Sequence, residues 1–128
     1  MTKLMRIGAF SDQTGLPIST VRYYVKLGLI VPSKPNGQFL FDEHCIADAE
    51  RIKLWKSLRF SLEEIHELIS IHRKYPNSFV KQENEYKQYF MNKKEELIQL
   101  KTQNEEGLHR VETMLHHLMS DPRIHMDE

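Results

Sequence analysis

Residues 15–29 read Gly15-Leu16-Pro17-Ile18-Ser19-Thr20-Val21-Arg22-Tyr23-Tyr24-Val25-Lys26-Leu27-Gly28-Leu29, a short helical pattern set between two glycines. Ile18, Val21 and Val25 recur on one side at helical spacing, while Ser19, Arg22, Tyr23 and Lys26 follow i, i+3, i+4 and i+7 on the other. The polar side carries no acid. A helix that buries one stripe and offers a hydroxyl, a guanidinium, a phenol and an ammonium on the opposite one suits a groove lined with phosphates. An ordinary surface helix with a solvated basic face would show the same pattern, so the flanking sequence has to decide between the two.

Upstream lies a second short helical pattern with Ile7, Phe10 and Leu16 as its apolar positions and the small Ser11 where two helices could cross. Gly15 supplies the left-handed residue that lets the chain turn sharply. Helix, glycine turn and helix within about two dozen residues is the helix-turn-helix pattern, whose second helix is presented to the DNA major groove. Downstream, Ile30-Val31-Pro32 and Phe39-Leu40-Phe41 are short apolar runs joined by Ser33-Lys34-Pro35-Asn36-Gly37, a turn-rich link suited to a small hairpin or wing.

In order and spacing, Met5-Arg6-Ile7-Gly8, Thr14-Gly15-Leu16, Thr20-Val21-Arg22-Tyr23-Tyr24, Gly28-Leu29-Ile30-Val31-Pro32, Asn36-Gly37 and Phe60-Ser61-Leu62-Glu63-Glu64-Ile65 form one set. The set resembles the MerR family of bacterial transcriptional regulators over roughly residues 5–74. The resemblance implies a mainly α fold, with a winged helix-turn-helix on two further helices and then a long helix that pairs antiparallel with its copy. It also implies a homodimer that distorts double-stranded promoter DNA, with RNA polymerase as a partner at the promoter. Three positions depart from the family's pattern. Gln38-Phe39-Leu40-Phe41 stands where the family writes Tyr-Arg and then an aromatic, Val25 where an acid follows the tyrosine pair, and Arg59 where a glycine precedes Phe-Ser-Leu-Glu-Glu. The DNA-facing candidates are Ser19, Thr20, Arg22, Tyr23, Lys26, Lys34, Lys56 and Arg59, with Arg22 and Tyr23 on the phosphate backbone and Ser19 nearest a base edge. Phe39 faces DNA in the wing's place or lies in the core beneath the hairpin.

Composition agrees with a small regulator. The chain has 128 residues, is 40% hydrophobic and carries no formal net charge, but the charge is unevenly spread. Residues 1–41 hold Lys3, Arg6, Arg22, Lys26 and Lys34 against the single acid Asp12, so the even total hides a basic face. No apolar run suggests a signal peptide or a membrane span, and the single cysteine, Cys45, fits a reducing cytoplasm. The expected organisation is a winged helix-turn-helix domain over 1–75, a long dimerisation helix over 76–120 and a short tail over 121–128.

Two more helices are expected after the hairpin. Asp42 caps one whose apolar positions are Ile46, Ala49, Ile52, Trp55 and Leu58. Ser61 and Glu64 form a capping box for the next, with Phe60 and Ile65 placed for a hydrophobic staple; Leu62, Ile65, Leu68 and Ile69 are its apolar positions, and Tyr75-Pro76 ends it. From about Ser78 to Ser120 there is no proline, and a helix of ~42 residues would be ~63 Å long. Phe90, Leu97, Asn104, Val111 and Leu118 repeat every seven residues, with Leu100, Leu108, Met114 and Leu115 beside them, which is a coiled-coil seam. Asn104 either sets the register of that seam or lies on its surface.

The sequence says least about a signal. No cysteines gather near the end of the long helix, which argues against soft-metal sensing; His109, His116, His117 and His125 would serve a harder ion, or are interfacial and solvated side chains. Cys45 is the possible redox residue, or a quiet buried thiol. Tyr75, Phe79, Tyr86, Tyr89 and Phe90 would line an apolar effector site, or pack between elements. No cofactor is expected. His66-Glu67 lacks the second histidine of a zinc-protease helix, and neither a phosphate loop nor a nucleophile elbow occurs, so an enzyme is not expected. The rival to a DNA-binding regulator is a coiled-coil interaction protein that keeps the winged-helix fold for protein contacts.

Overall fold

The structure, a computed structural model, describes residues 3–125 and side chains as far as Arg123. Residues 126–128 of the expected tail and the side chain of His125 lie outside the described residues. The elements are α1 (Ile7–Thr14), α2 (Ile18–Lys26), a hairpin turn at Pro35–Gly37, α3 (Glu43–Ser57), α4 (Leu62–Lys74), α5 (Phe79–Ser120) and α6 (Pro122–His125). One compact unit ends at Tyr86 and a second begins at Lys87.

In the first unit α1 packs on α2 and on α3, and α3 packs on α4. Phe10 from α1 and Phe41 from the hairpin are fully buried and stack with ring centroids 4.3 Å apart. Burying a side chain of that size contributes about 1.5–3 kcal/mol. Val21, Leu29, Ile30, Ala49, Ile52, Ile65 and Leu68 are fully covered with them.

Local signals end and begin these helices as expected. Gly15 caps α1 in the left-handed region at φ 77°, and the Ser11 hydroxyl, placed by sequence at a helix crossing, donates to the Leu16 carbonyl and latches the turn. The Asp42 carboxylate accepts from the Cys45 N–H at 3.0 Å. Ser61 and Glu64 form the reciprocal capping box, at 3.1 and 3.0 Å, between buried Phe60 and Ile65.

Two helix endings share one geometry. After α2 the Leu29 N–H donates to Tyr24 O at 2.9 Å and the Gly28 N–H to Val25 O at 3.0 Å, with Gly28 at φ 77°. After α3 the Phe60 N–H donates to Trp55 O at 3.1 Å and the Arg59 N–H to Lys56 O at 3.0 Å, with Arg59 at φ 68°. Both are Schellman endings, in which a left-handed residue reverses the chain and satisfies the last carbonyls. Arg59 thus stands in a conformation that favours glycine.

Two apolar positions of the sequence reading, Ile18 and Leu58, are exposed. Ile18 is exposed and Val25 half-buried, while Tyr24, unassigned by the pattern, is buried in their place beside Val21. Leu58 is exposed because it is the cap residue of α3, where the chain has already left the helical stripe.

In the second unit, every residue of α5 from Lys101 to Ser120 is exposed. Among the described residues no helix is long and apolar enough to cross a membrane.

Candidate nucleic-acid interface

The hairpin is built on Asn36-Gly37. Both residues have positive φ, 54° and 81°, and the Gln38 N–H closes the turn on Pro35 O at 3.2 Å. This is a type I′ turn, whose twist matches that of the flanking strands. Ser33 and Leu40 exchange backbone hydrogen bonds at 3.0 and 2.9 Å, which sets the register and places Lys34 opposite Phe39. Met5 and Phe41 exchange bonds at 2.9 and 2.8 Å, so the hairpin is pinned to the segment that leads into α1. These are isolated bridges; among the described residues no regular strand forms.

That pinning brings Arg6, at the start of α1, and Lys34, on the hairpin, to the same cleft as Arg22 on α2. The cleft has a volume of about 280 Å³, and none of the described residues lining it is acidic. Phe39 and Gly37 form its hairpin wall. Phe39 is half-buried, tilted against Phe41 at 6.1 Å, and the Lys34 ammonium lies 4.8 Å above its ring. The ring is therefore neither fully in the core nor free: it is a platform for the cation on the opposite arm of the hairpin. A positive group is present at the hairpin although the position after Gln38 is not an arginine.

On α2, Ser19, Arg22, Tyr23 and Lys26 are all exposed and Thr20 is half-buried, so the polar face expected from spacing is presented to solvent as one surface. Lys56, in the last turn of α3, and Arg59, in the turn before α4, are exposed but do not line the cleft. Arg6 lines the cleft but is not among the candidates that the sequence pattern singles out. Its signal was present, a basic residue at the helix start within Met5-Arg6-Ile7-Gly8, but only the bridge from Met5 to Phe41 brings it to Arg22 and Lys34.

Cys45 is buried beneath the hairpin, its thiol 3.6 Å from Val31 O. Burial pushes the thiol up to about 11, and the carboxylates of Asp42 and Asp48 act in the same direction, so at neutral pH the thiol stays protonated and weakly reactive. Among the described residues no three His, Cys, Asp or Glu side chains converge as a metal site. Of the aromatics in the first unit near the start of α5, the Tyr75 hydroxyl donates to Glu85 at 2.8 Å, Tyr86 packs edge-on to Trp55 at 6.1 Å, and Phe79 is 76% exposed.

The residues expected to form the seam, Phe90, Leu97, Asn104, Leu108, Val111, Leu115 and Leu118, are all exposed. A helix in water gains nothing by displaying such a row alone.

The chain is similar to known regulators over about half of its length. It is 33% identical over 72 residues to "HTH-type transcriptional regulator HmrR" of Rhizobium leguminosarum bv. viciae, covering 53% of this chain and 54% of that protein. It is 38% identical over 71 residues to "Mercuric resistance operon regulatory protein" of Shigella flexneri, covering 52% of this chain and 48% of that one. The chain thus spans about half the length of the curated relatives it matches. In fold it resembles a crystal structure described as a transcriptional regulator of the MerR family from Bacillus cereus, with a TM-score of 0.71 at 20% identity, over 94% of this chain and 86% of that one. The family described as "MerR HTH family regulatory protein" matches residues 5–70, just over half of the chain. By that match, and with the helix-turn-helix, the I′ hairpin and the capped scaffold helices in place, the chain belongs to the MerR family of regulatory proteins.

Proposed function

We propose that the protein is a transcriptional regulator that binds double-stranded promoter DNA as a homodimer, with α2 as recognition helix and the hairpin as wing. The observation that carries this reading is the cleft where Arg6, Arg22 and Lys34 converge with no acid on its lining. Three cations from three elements match a phosphate run that passes from the major groove onto the adjacent backbone. Arg22 and Tyr23 then fix register through the phosphates, and Ser19, in the first turn of α2, reaches the base edges. Lys34 takes the place of the wing arginine, held by the Phe39 ring. Lys56 and Arg59 extend the basic face toward the start of α4.

Dimerisation falls to α5. Its exposed apolar row, from Leu97 through Leu108, Val111, Leu115 and Leu118, suits an antiparallel seam with a second copy, and Asn104 within it sets register. A dimer of this kind presents two recognition helices at fixed spacing and distorts a promoter whose elements are too far apart; relief or imposition of that distortion in response to a signal regulates transcription.

The test is a salt series. Binding of the full chain to duplex should fall with salt, and Arg22→Ala should flatten the log–log slope by about 0.9, the loss of one phosphate contact. Binding that is insensitive to salt, or an Arg22→Ala slope equal to the parent's, refutes the groove placement and leaves the fold to protein contacts.

A further inference from the structure

We infer that Arg73 is a positioning residue for the recognition helix, one that governs sequence discrimination without touching DNA; this inference rests on the DNA-binding reading above. Arg73 lies on α4, in its last turn, far in sequence from α2. Its Nη1 donates to the Gly28 carbonyl at 2.9 Å, and its Nη2 to the Leu29 carbonyl at 3.0 Å and to the Asp48 carboxylate at 3.3 Å. Asp48 is on α3, and its other oxygen accepts from Arg51 at 3.0 Å. One planar guanidinium therefore joins three elements: its own helix, the scaffold helix α3, and the Schellman turn that ends α2.

The geometry makes this a clamp on orientation. The carbonyl end of a helix is its negative pole, so a cation there is favourable, and a fork that donates to two successive carbonyls also fixes direction. An equivalent contact exists at the end of α1, where the Lys53 ammonium donates to the Thr14 carbonyl at 2.6 Å. The opposite end of α2 has no side-chain cap, its first residue following Pro17. A nine-residue helix rises only ~13 Å, so a rotation of ~10° about the clamped end moves Ser19 by roughly 2 Å. Base-edge contacts do not survive such a shift, whereas long Arg and Lys side chains still reach phosphates. Loss of the clamp should therefore cost specific binding more than nonspecific binding.

The experiment uses the full chain and two probes, a duplex enriched from a random-sequence library by the parent protein and a scrambled duplex of the same length. Arg73→Ala should lower the enriched-to-scrambled affinity ratio about tenfold while the scrambled affinity and its salt slope hold. Arg73→Lys, whose single ammonium serves one carbonyl well, should recover part of the ratio. Hydrogen exchange at amides 26–30 of the free protein should quicken in Arg73→Ala. An unchanged ratio or unchanged exchange overturns the inference. So does an equal loss on both duplexes with a slope flattened by about 0.9, which would make Arg73 a phosphate ligand. If Arg73→Ala does not fold, Arg73→Lys and Asp48→Asn are read by the same ratio, each expected below the parent. Failure of the parent to enrich any sequence or to bind with salt dependence would instead sink the DNA-binding reading, and this inference with it.

Discussion

Arg59 occupies at the end of α3 the left-handed position that Gly28 occupies at the end of α2, so exchanging it for glycine should stabilise the protein. At φ 68° an L residue pays about 1–2 kcal/mol against the clash of its Cβ with the neighbouring carbonyl. Glycine removes that clash but gives back ~0.5–1 kcal/mol through the freedom it gains in the unfolded chain. The net gain from Arg59→Gly is about 0.5–1 kcal/mol, which for a unit of this size raises Tm by roughly 3–6 °C. Whatever the Arg59 side chain contributes is separated by making Arg59→Ala as well, since alanine loses the side chain and keeps the strain. The glycine variant should melt above the alanine variant by the amount set by backbone alone, about 0.5–1 kcal/mol. Gly28→Ala is the mirror case. A Cβ there would stand 3.6 Å from the His66 imidazole, an ordinary contact, so its penalty of about 1 kcal/mol or more would come from φ. Equal melting of Arg59→Gly and Arg59→Ala, measured by circular dichroism or calorimetry, would falsify the strain argument.

Other outcomes follow from the same geometry. Lys34→Ala should flatten the salt slope of duplex binding by about 0.9, and Phe39→Leu, which keeps apolar bulk but removes the π-face, should weaken low-salt binding by a smaller factor, both read by fluorescence anisotropy. Removing residues 100–128 should leave a monomer by light scattering with much weaker duplex binding; a truncated chain still dimeric at micromolar concentration rules the seam out. Cys45 should alkylate slowly in the native protein. With its thiol raised to about 11, only about one thousandth is thiolate at pH 8, and the rate should climb about tenfold per pH unit until the group titrates or the protein unfolds. Fast native-state labelling at pH 7 would contradict the burial.

What was legible in the chain was local. The capping box at Ser61 and Glu64, the Asp42 cap and the glycine turn at Gly15 depend on residues within one turn of each other, so spacing alone reports them. The polar face of α2 was legible for the same reason, while its buried face was not. A helix of nine residues offers too few turns to fix its azimuth, and Tyr24 rather than Ile18 is the residue buried with Val21. The placements of Arg6 and Arg73 were illegible because each depends on a tertiary contact, Arg6 on the Met5 to Phe41 bridge and Arg73 on backbone carbonyls that any residue possesses. The glycine-like role of Arg59 was visible only as a departure, a charged residue where the family has glycine, and its φ gives that departure a physical meaning.

The run from Lys101 to Ser120, exposed at every position, carries a consequence for how much protein a cell must hold. An isolated helix without a buried face is at best marginal in water, so with the proposed dimer its folding and its association become one equilibrium. Stability then rises with copy number, and dilution, by cell growth or by reduced gene dosage, would melt the far half of α5 as it separates the subunits. The regulator would lose occupancy more steeply than its concentration falls.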